Sequence, residues 1–216
     1  MLTHYGVSQI YRSLCVFAMC MLIMVGAASS AYATVGEDDA LDILGFDPVD
    51  NKVFFTIMDE SAIDDVYYIK LGSTNQPVLA KSLYPEEKDL CNEPPCSTIL
   101  NQRIEQLQKR LTPLSPTATE YLQWRTLTRK SQIIPWYNDP ELPTPEHDIS
   151  YRIIFDNGVQ KLSGQSHLVY YRDDLVIDQA FHIPNRPHMV AVVKYLGKPF
   201  EFGYKKYDVV ILSPNQ

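Results

Sequence analysis

The chain has 216 residues, 45% of them hydrophobic and 21% charged, and a formal net charge of −7. That balance excludes a disordered, collagenous or disulfide-scaffold chain. Only one stretch is continuously apolar, which excludes a multi-span membrane protein, and the acidic charge disfavours nucleic acid and anionic lipid as partners.

The apolar stretch lies at the front. Arg12 precedes it, Leu14 to Ala28 is almost wholly apolar, and Ala31-Tyr32-Ala33 has the small-x-small form that signal peptidase recognises. The run falls short of the roughly 20 residues that cross a bilayer as a helix. Residues 1–33 are therefore expected to be a secretory signal peptide, cleaved rather than kept as an anchor. Cys15 and Cys20 lie inside the apolar run, which argues against lipoprotein processing. Residues 34–216 keep 18 Lys and Arg against 26 acids, a net charge of −8. The expected address is the periplasm or the extracellular space, with no membrane contact after cleavage.

Residues 34–216 read as one α+β domain. An antiparallel β-meander, mainly residues 149–212, is expected to carry the core. Front strands at 41–80 join or extend it, and a helical middle at 97–130 covers one face. Charge follows the same division, with net −10 over residues 34–96, +4 over 97–134 and −2 over 135–216. Leu41 to Phe46, Lys52 to Met58 and Val66 to Leu71 are rich in β-formers, and Asp47-Pro48-Val49-Asp50-Asn51 has the residue types of a turn. Cys91 and Cys96 bracket Asn-Glu-Pro-Pro, and in an oxidising compartment they are expected to form a local disulfide.

Ser97 or Thr98 can cap the next element. Leu100, Ile104, Leu107 and Leu111 then recur at helical spacing, and Pro113 ends the run. Thr117 and Glu120 have capping-box spacing, so Tyr121 to Arg129 is read as helix, although its Leu122/Trp124 alternation also suits a strand. Pro135, Pro140, Pro143 and Pro145 mark residues 135–148 as a connection. Ile149 to Asp156 alternates, and Asn157-Gly158 predicts a hairpin with a type I′ turn. Ser163-Gly164 predicts another turn, with His167 to Arg172 and Leu175 to Ile183 as a second hairpin. His188 to Leu196 is apolar on both faces, which predicts a central, covered strand. Tyr204 to Leu212 closes a count of six strands.

Catalytic motifs are absent. There is no Gly-x-Ser-x-Gly, no His-Glu-x-x-His, no phosphate loop and no Gly-x-Gly-x-x-Gly, and no pattern identifies a family. His182 and His188 flank the Pro184–Pro187 turn and could share a metal with Asp178, although strand-end histidines are more often polar tips. Asp59, Glu60, Asp64 and Asp65 crowd one hairpin loop without the ordered pattern of a calcium site. The adjacent pairs Tyr67-Tyr68 and Tyr170-Tyr171, with Trp124 and Trp136, are candidates for a sugar- or protein-binding surface, against plain burial on both faces of a sheet.

The expected function is an exported, non-enzymatic binding or structural protein. It would meet a protein or glycan partner through a sheet edge or an aromatic surface, without a cofactor. The alternatives are a hydrolase of glycans or esters using Asp/Glu with His167 or His182, and a metal-stabilised structural module.

Overall fold

The computed structural model describes residues 40–58, 64–84, 96–136, 139–170, 175–197 and 205–214, all within the compact unit Gly36–Gln216. The expected signal peptide at residues 1–33 lies outside the described residues. The elements in chain order are β1 (Ala40–Asp47), β2 (Lys52–Met58), β3 (Asp64–Lys70), β4 (Val78–Leu79), α1 (Cys96–Arg110), β5 (Ser115–Thr117), β6 (Leu122–Trp136), β7 (Asp139–Asp156), β8 (Lys161–Tyr170), β9 (Val176–His182), β10 (Met189–Leu196) and β11 (Lys205–Pro214). A single turn of 3-10 helix spans Lys81–Leu83.

The front strands do not extend the main sheet. They form their own antiparallel sheet, in the order β1-β2-β3-β4. The β1–β2 turn is fixed by Asp47, whose Oδ1 accepts from Val49 N at 3.0 Å and Asp50 N at 3.3 Å. Its other oxygen takes Arg110 Nη2 at 3.1 Å, which ties α1 to the turn. Strand alternation sends neighbouring side chains to opposite faces. Phe54 and Val66 therefore pack with Ala80 against Leu107 and Leu111, while Phe46, Val53, Phe55 and Ile69 face Val190, Val209 and Ile211.

The second sheet has seven strands in the order β5-β9-β10-β11-β8-β7-β6. Its two edge strands, β5 and β6, are neighbours in sequence, joined by residues 118–121. Such a link spans at most about 18 Å at roughly 3.6 Å per residue. In a flat sheet, strands about 4.8 Å apart would put the two edges about 29 Å apart. The sheet must therefore roll, and a ring contact between Phe155 of β7 and His182 of β9 crosses the interior at 6.2 Å. One core fills the roll, with Ile149, Tyr151, Ile153, Phe155, Leu162, Met189, Ala191, Val193, Val210 and Leu212 among its members. β10 is buried on both faces, as its sequence predicts, because it separates this core from the one shared with the front sheet. Each such aliphatic side chain contributes about 1.5–3 kcal/mol of transfer free energy.

Several expectations are corrected. Residues 122–136 are strand, so the helical middle shrinks to α1. Pairing with β7 outweighs the local capping-box signal, with Leu122 set against Phe155. The proline-rich stretch 135–148 is no free connection, because β7 begins at Asp139 and pairs with β6 in a projecting two-stranded ribbon. Ser163-Gly164 lies inside β8, and the paired hairpin of β8 with β9 does not form: β8 lies between β7 and β11. The six expected back strands thereby become five. The Asn157-Gly158 hairpin exists, but Asn157 keeps negative φ while Gly158 has φ 81°. The loop is held by side chains, with Asp156 Oδ1 accepting from Gly158 N at 3.1 Å and Asn157 Oδ1 from Gln160 N at 2.8 Å.

The weakest seam of the roll lies between β8 and β11. They pair at only two positions, Ser163 with Ser213 and Leu162 with Pro214. Beyond that point Asn75, from the turn after β3, replaces the missing ladder. Its Oδ1 accepts from Ile211 N at 2.9 Å, and its Nδ2 donates to Gln165 O at 3.0 Å and Ile211 O at 3.2 Å. The near-isosteric Asn75→Asp change removes both donors. It is expected to cost about 1–3 kcal/mol, read as a fall in the urea midpoint with an unchanged slope. An unchanged midpoint would show that the amide does not hold the seam.

Candidate functional site

β6 is the long free edge of the rolled sheet. The opposite edge, β5, has only three residues, whereas β6 has 15. From Leu122 to Ile134, β6 contains no proline, so none of its N–H groups on the side away from β7 is missing. The exposed edge carries large apolar side chains: Trp124 is 38% exposed, Leu127 44% and Ile133 67%. It also carries Arg125, Arg129 and Lys130 and no acid.

A bulge organises these groups. The register slips between Thr126 and Thr128, leaving Leu127 as the extra residue. Arg125 then opposes Arg152, and Lys130 opposes Asp148. Arg152 and Asp148 are four apart on β7 and share its outer face. Arg125 and Lys130, five apart, would face opposite ways on a regular strand, and the bulge returns both to the outer face. Arg125 and Lys130 make no ion pair among the described residues. Asp148 is instead engaged by His167 Nε2 at 2.6 Å. On the opposite face, Ser131 Oγ lies 2.8 Å from His147 Nδ1, and Arg129 Nη2 stands 3.1 Å and 3.2 Å from the two ring nitrogens. No carboxylate is hydrogen-bonded to His147 among the described residues, so this contact lacks the orienting acid of a Ser–His–Asp relay.

The buried titratable centre of the fold is Asp208 of β11. It points into the roll beside Val193 and Val210. Tyr151 Oη and Ser166 Oγ both donate to Asp208 Oδ2, each at 2.6 Å. Burial pushes the Asp208 carboxyl above the ordinary carboxylate range, against the lowering effect of these hydrogen bonds. Burial, and then the charge of Asp208, push the Tyr151 phenol far upward. Both groups are enclosed and bound to each other. The arrangement continues the β8–β11 seam inward and fastens it where the backbone ladder has stopped.

On the outside of the same seam lies a polar cleft of about 330 Å³, lined by Gly72 to Asn75, Ser163 to Gln165, Ile211 and Ser213. It offers hydroxyls, amides and backbone groups but no charged side chain.

The sequence-derived candidates are scattered through the fold. Tyr67 stacks on Phe55 at 6.0 Å and Tyr68 packs on Phe54 at 5.6 Å on the other face, so this pair is half-buried on both sides of the front sheet. Tyr170 is buried beside His147. Tyr171 lies outside the described residues, as does the side chain of Trp136. Of these six aromatic residues, Trp124 stands on the open edge. His182 meets the Phe155 ring, and His188 Nδ1 has no hydrogen-bond partner among the described residues. Burial, then Arg186, lowers the His188 pKa. No group of three or more His, Cys, Asp or Glu is gathered to hold a metal among the described residues, and His182, His188 and Asp178 form no such group. Cys91 and the side chain of Cys96 lie outside the described residues, as do Asp59 and Glu60. The helical signals in Tyr121 to Arg129 and the prolines from Pro135 onward conceal this edge in the sequence.

The fold and the edge together define a mainly antiparallel β protein of two packed sheets with one α-helix among the described residues. No protein-family model, curated protein or solved structure matches the chain. Among the described residues, no helix is long and apolar enough to cross a membrane.

Proposed function

We propose that this is an exported, non-enzymatic binding protein that receives an extended segment of a partner polypeptide along the edge of β6. The observation that carries the reading is the long, proline-free edge run from Leu122 to Ile134. Natural proteins guard long edges, because unpaired N–H and C=O groups recruit other strands. The far end of the ribbon is guarded in this way, with Pro135 on β6 and Pro140, Pro143 and Pro145 on β7. The run before it has no proline, carries one bulge at Leu127, and is flanked by exposed Trp124, Leu127 and Ile133. Strand addition takes its affinity from main-chain hydrogen bonds and its selectivity from alternate side chains. Export rests on the signal-peptide reading of residues 1–33.

The test is amide hydrogen exchange of the purified chain, alone and with a panel of extended peptides of about ten residues. Alone, the outward amides of β6 are expected to exchange quickly. At least one peptide is expected to protect amides within Leu122–Ile134. If no peptide protects β6, or protection falls only elsewhere, the reading is wrong.

A further inference from the structure

Resting on that reading, we infer that the segment taken by β6 is acidic, with carboxylates at alternate positions along one face. The bulge at Leu127 places Arg125 and Lys130 on the same outer face of the edge strand. The residues opposing them on β7, Arg152 and Asp148, are four apart. A regular strand added on the free side of β6 meets the two cations with the same spacing. Its positions k and k+4 therefore face Arg125 and Lys130, and carboxylates there complete two cross-strand ion pairs. Position k+2 falls between them on the same face. Side chains on the other face of the added strand lie beside Trp124 and Ile133, where apolar or threonine side chains fit.

The same charges exclude a second copy of this chain as the occupant. Two β6 edges laid together bring Arg125, Arg129 and Lys130 against one another, with no acid on either strand to neutralise them. Asp148 and Glu146 on β7 offset part of this charge: Asp148 is bonded to His167 at 2.6 Å, and Glu146 accepts from Gln132 Nε2 at 2.6 Å. Arg152, beside Arg125, adds a third cation to this face. The chain as a whole is acidic, with a net charge of −7. At physiological salt, however, charges beyond about 8 Å are screened, so the local basic edge governs what docks.

The experiment titrates the purified chain with three peptides of one length and one apolar face. They carry glutamate, glutamine or lysine at every second position. The glutamate peptide is expected to bind about tenfold more tightly than the glutamine peptide. The lysine peptide is expected to bind more weakly than either, and added salt to erase the difference. The double variant Arg125→Glu/Lys130→Glu, altered at two exposed positions outside the core, is expected to prefer the lysine peptide. Equal binding of all three peptides with β6 protected overturns the acidic partner and leaves the edge reading standing. Binding of none removes both. A dimer paired through β6 in the absence of peptide also overturns the inference.

Discussion

Gly164→Ala is expected to lower the unfolding free energy by about 3 kcal/mol, and Gly164→Val by more. A Cβ at Gly164 would lie 2.3 Å from the Ile211 carbonyl oxygen, 2.9 Å from Val210 Cγ1 and 3.0 Å from Leu212 Cδ2. The first of these is backbone of the neighbouring strand and cannot swing aside. Relief requires β8 to move away from β11 at the one place where their ladder is already down to two pairs. Gly158 is the contrasting case: nothing stands within 4 Å of its Cβ position, but its φ of 81° is left-handed. Gly158→Ala should therefore cost only about 1–2 kcal/mol. Equilibrium urea unfolding of both variants separates the two mechanisms. A Gly164→Ala protein as stable as the parent would mean that the strands do not approach this closely.

The second large effect belongs to Asp208. Asp208→Ala removes the acceptor shared by the buried Tyr151 hydroxyl and the half-buried Ser166 hydroxyl. The expected loss is about 3 kcal/mol. Asp208→Asn keeps an oxygen acceptor and should lose much less at neutral pH. The pair also fixes a pH dependence. In the unfolded chain the Asp208 proton leaves near 3.8, whereas in the folded protein burial holds it to a higher pH. Between those values the folded state binds more protons, so this group's contribution is complete below the unfolded value and is lost as pH rises through the folded one. Asparagine does not titrate. The stability of the parent relative to Asp208→Asn should therefore fall as pH rises above about 3.8. A difference that rises instead would show that the two hydroxyl bonds outweigh burial and hold the carboxylate ionised.

Where structure is dictated locally, the sequence is a good guide. Lys52 to Met58 is a strand with the expected bounds, and Met189 to Val193 is buried on both faces as its unbroken apolar run requires. Ile104, Leu107 and Leu111 pack on the front sheet, and Leu100 is buried, as an amphipathic helical stripe should be. The failures come from distant partners. Tyr121 to Arg129 carries both helical and strand signals, and only pairing with residues 149–156 decides between them. Prolines normally argue against strands, yet a two-stranded ribbon leaves outward positions where the missing N–H costs nothing. The meeting of β8 with β11 brings together segments more than 40 residues apart, such as Ser166 and Asp208, and no local pattern encodes it. One sign of the buried acid was present. In Tyr207 to Leu212, Asp208 falls in step with Val210 and Leu212, so a carboxylate occupies a core-facing position in an otherwise apolar run.

Strand order also has a consequence for how the molecule assembles. Among the described residues, β11 is the last of eleven strands in sequence and the fourth of seven across the rolled sheet. Before it inserts, β5-β9-β10 and β8-β7-β6 are two separate sheets, each with a raw inner edge that β11 later covers. The contacts that join them form between residues far apart in the chain, so their closure entropy falls due before any of their stabilisation is gained. Folding from the N-terminus can proceed only as far as two unjoined halves. The exposed inner edges make this the stage most open to mispairing with other chains.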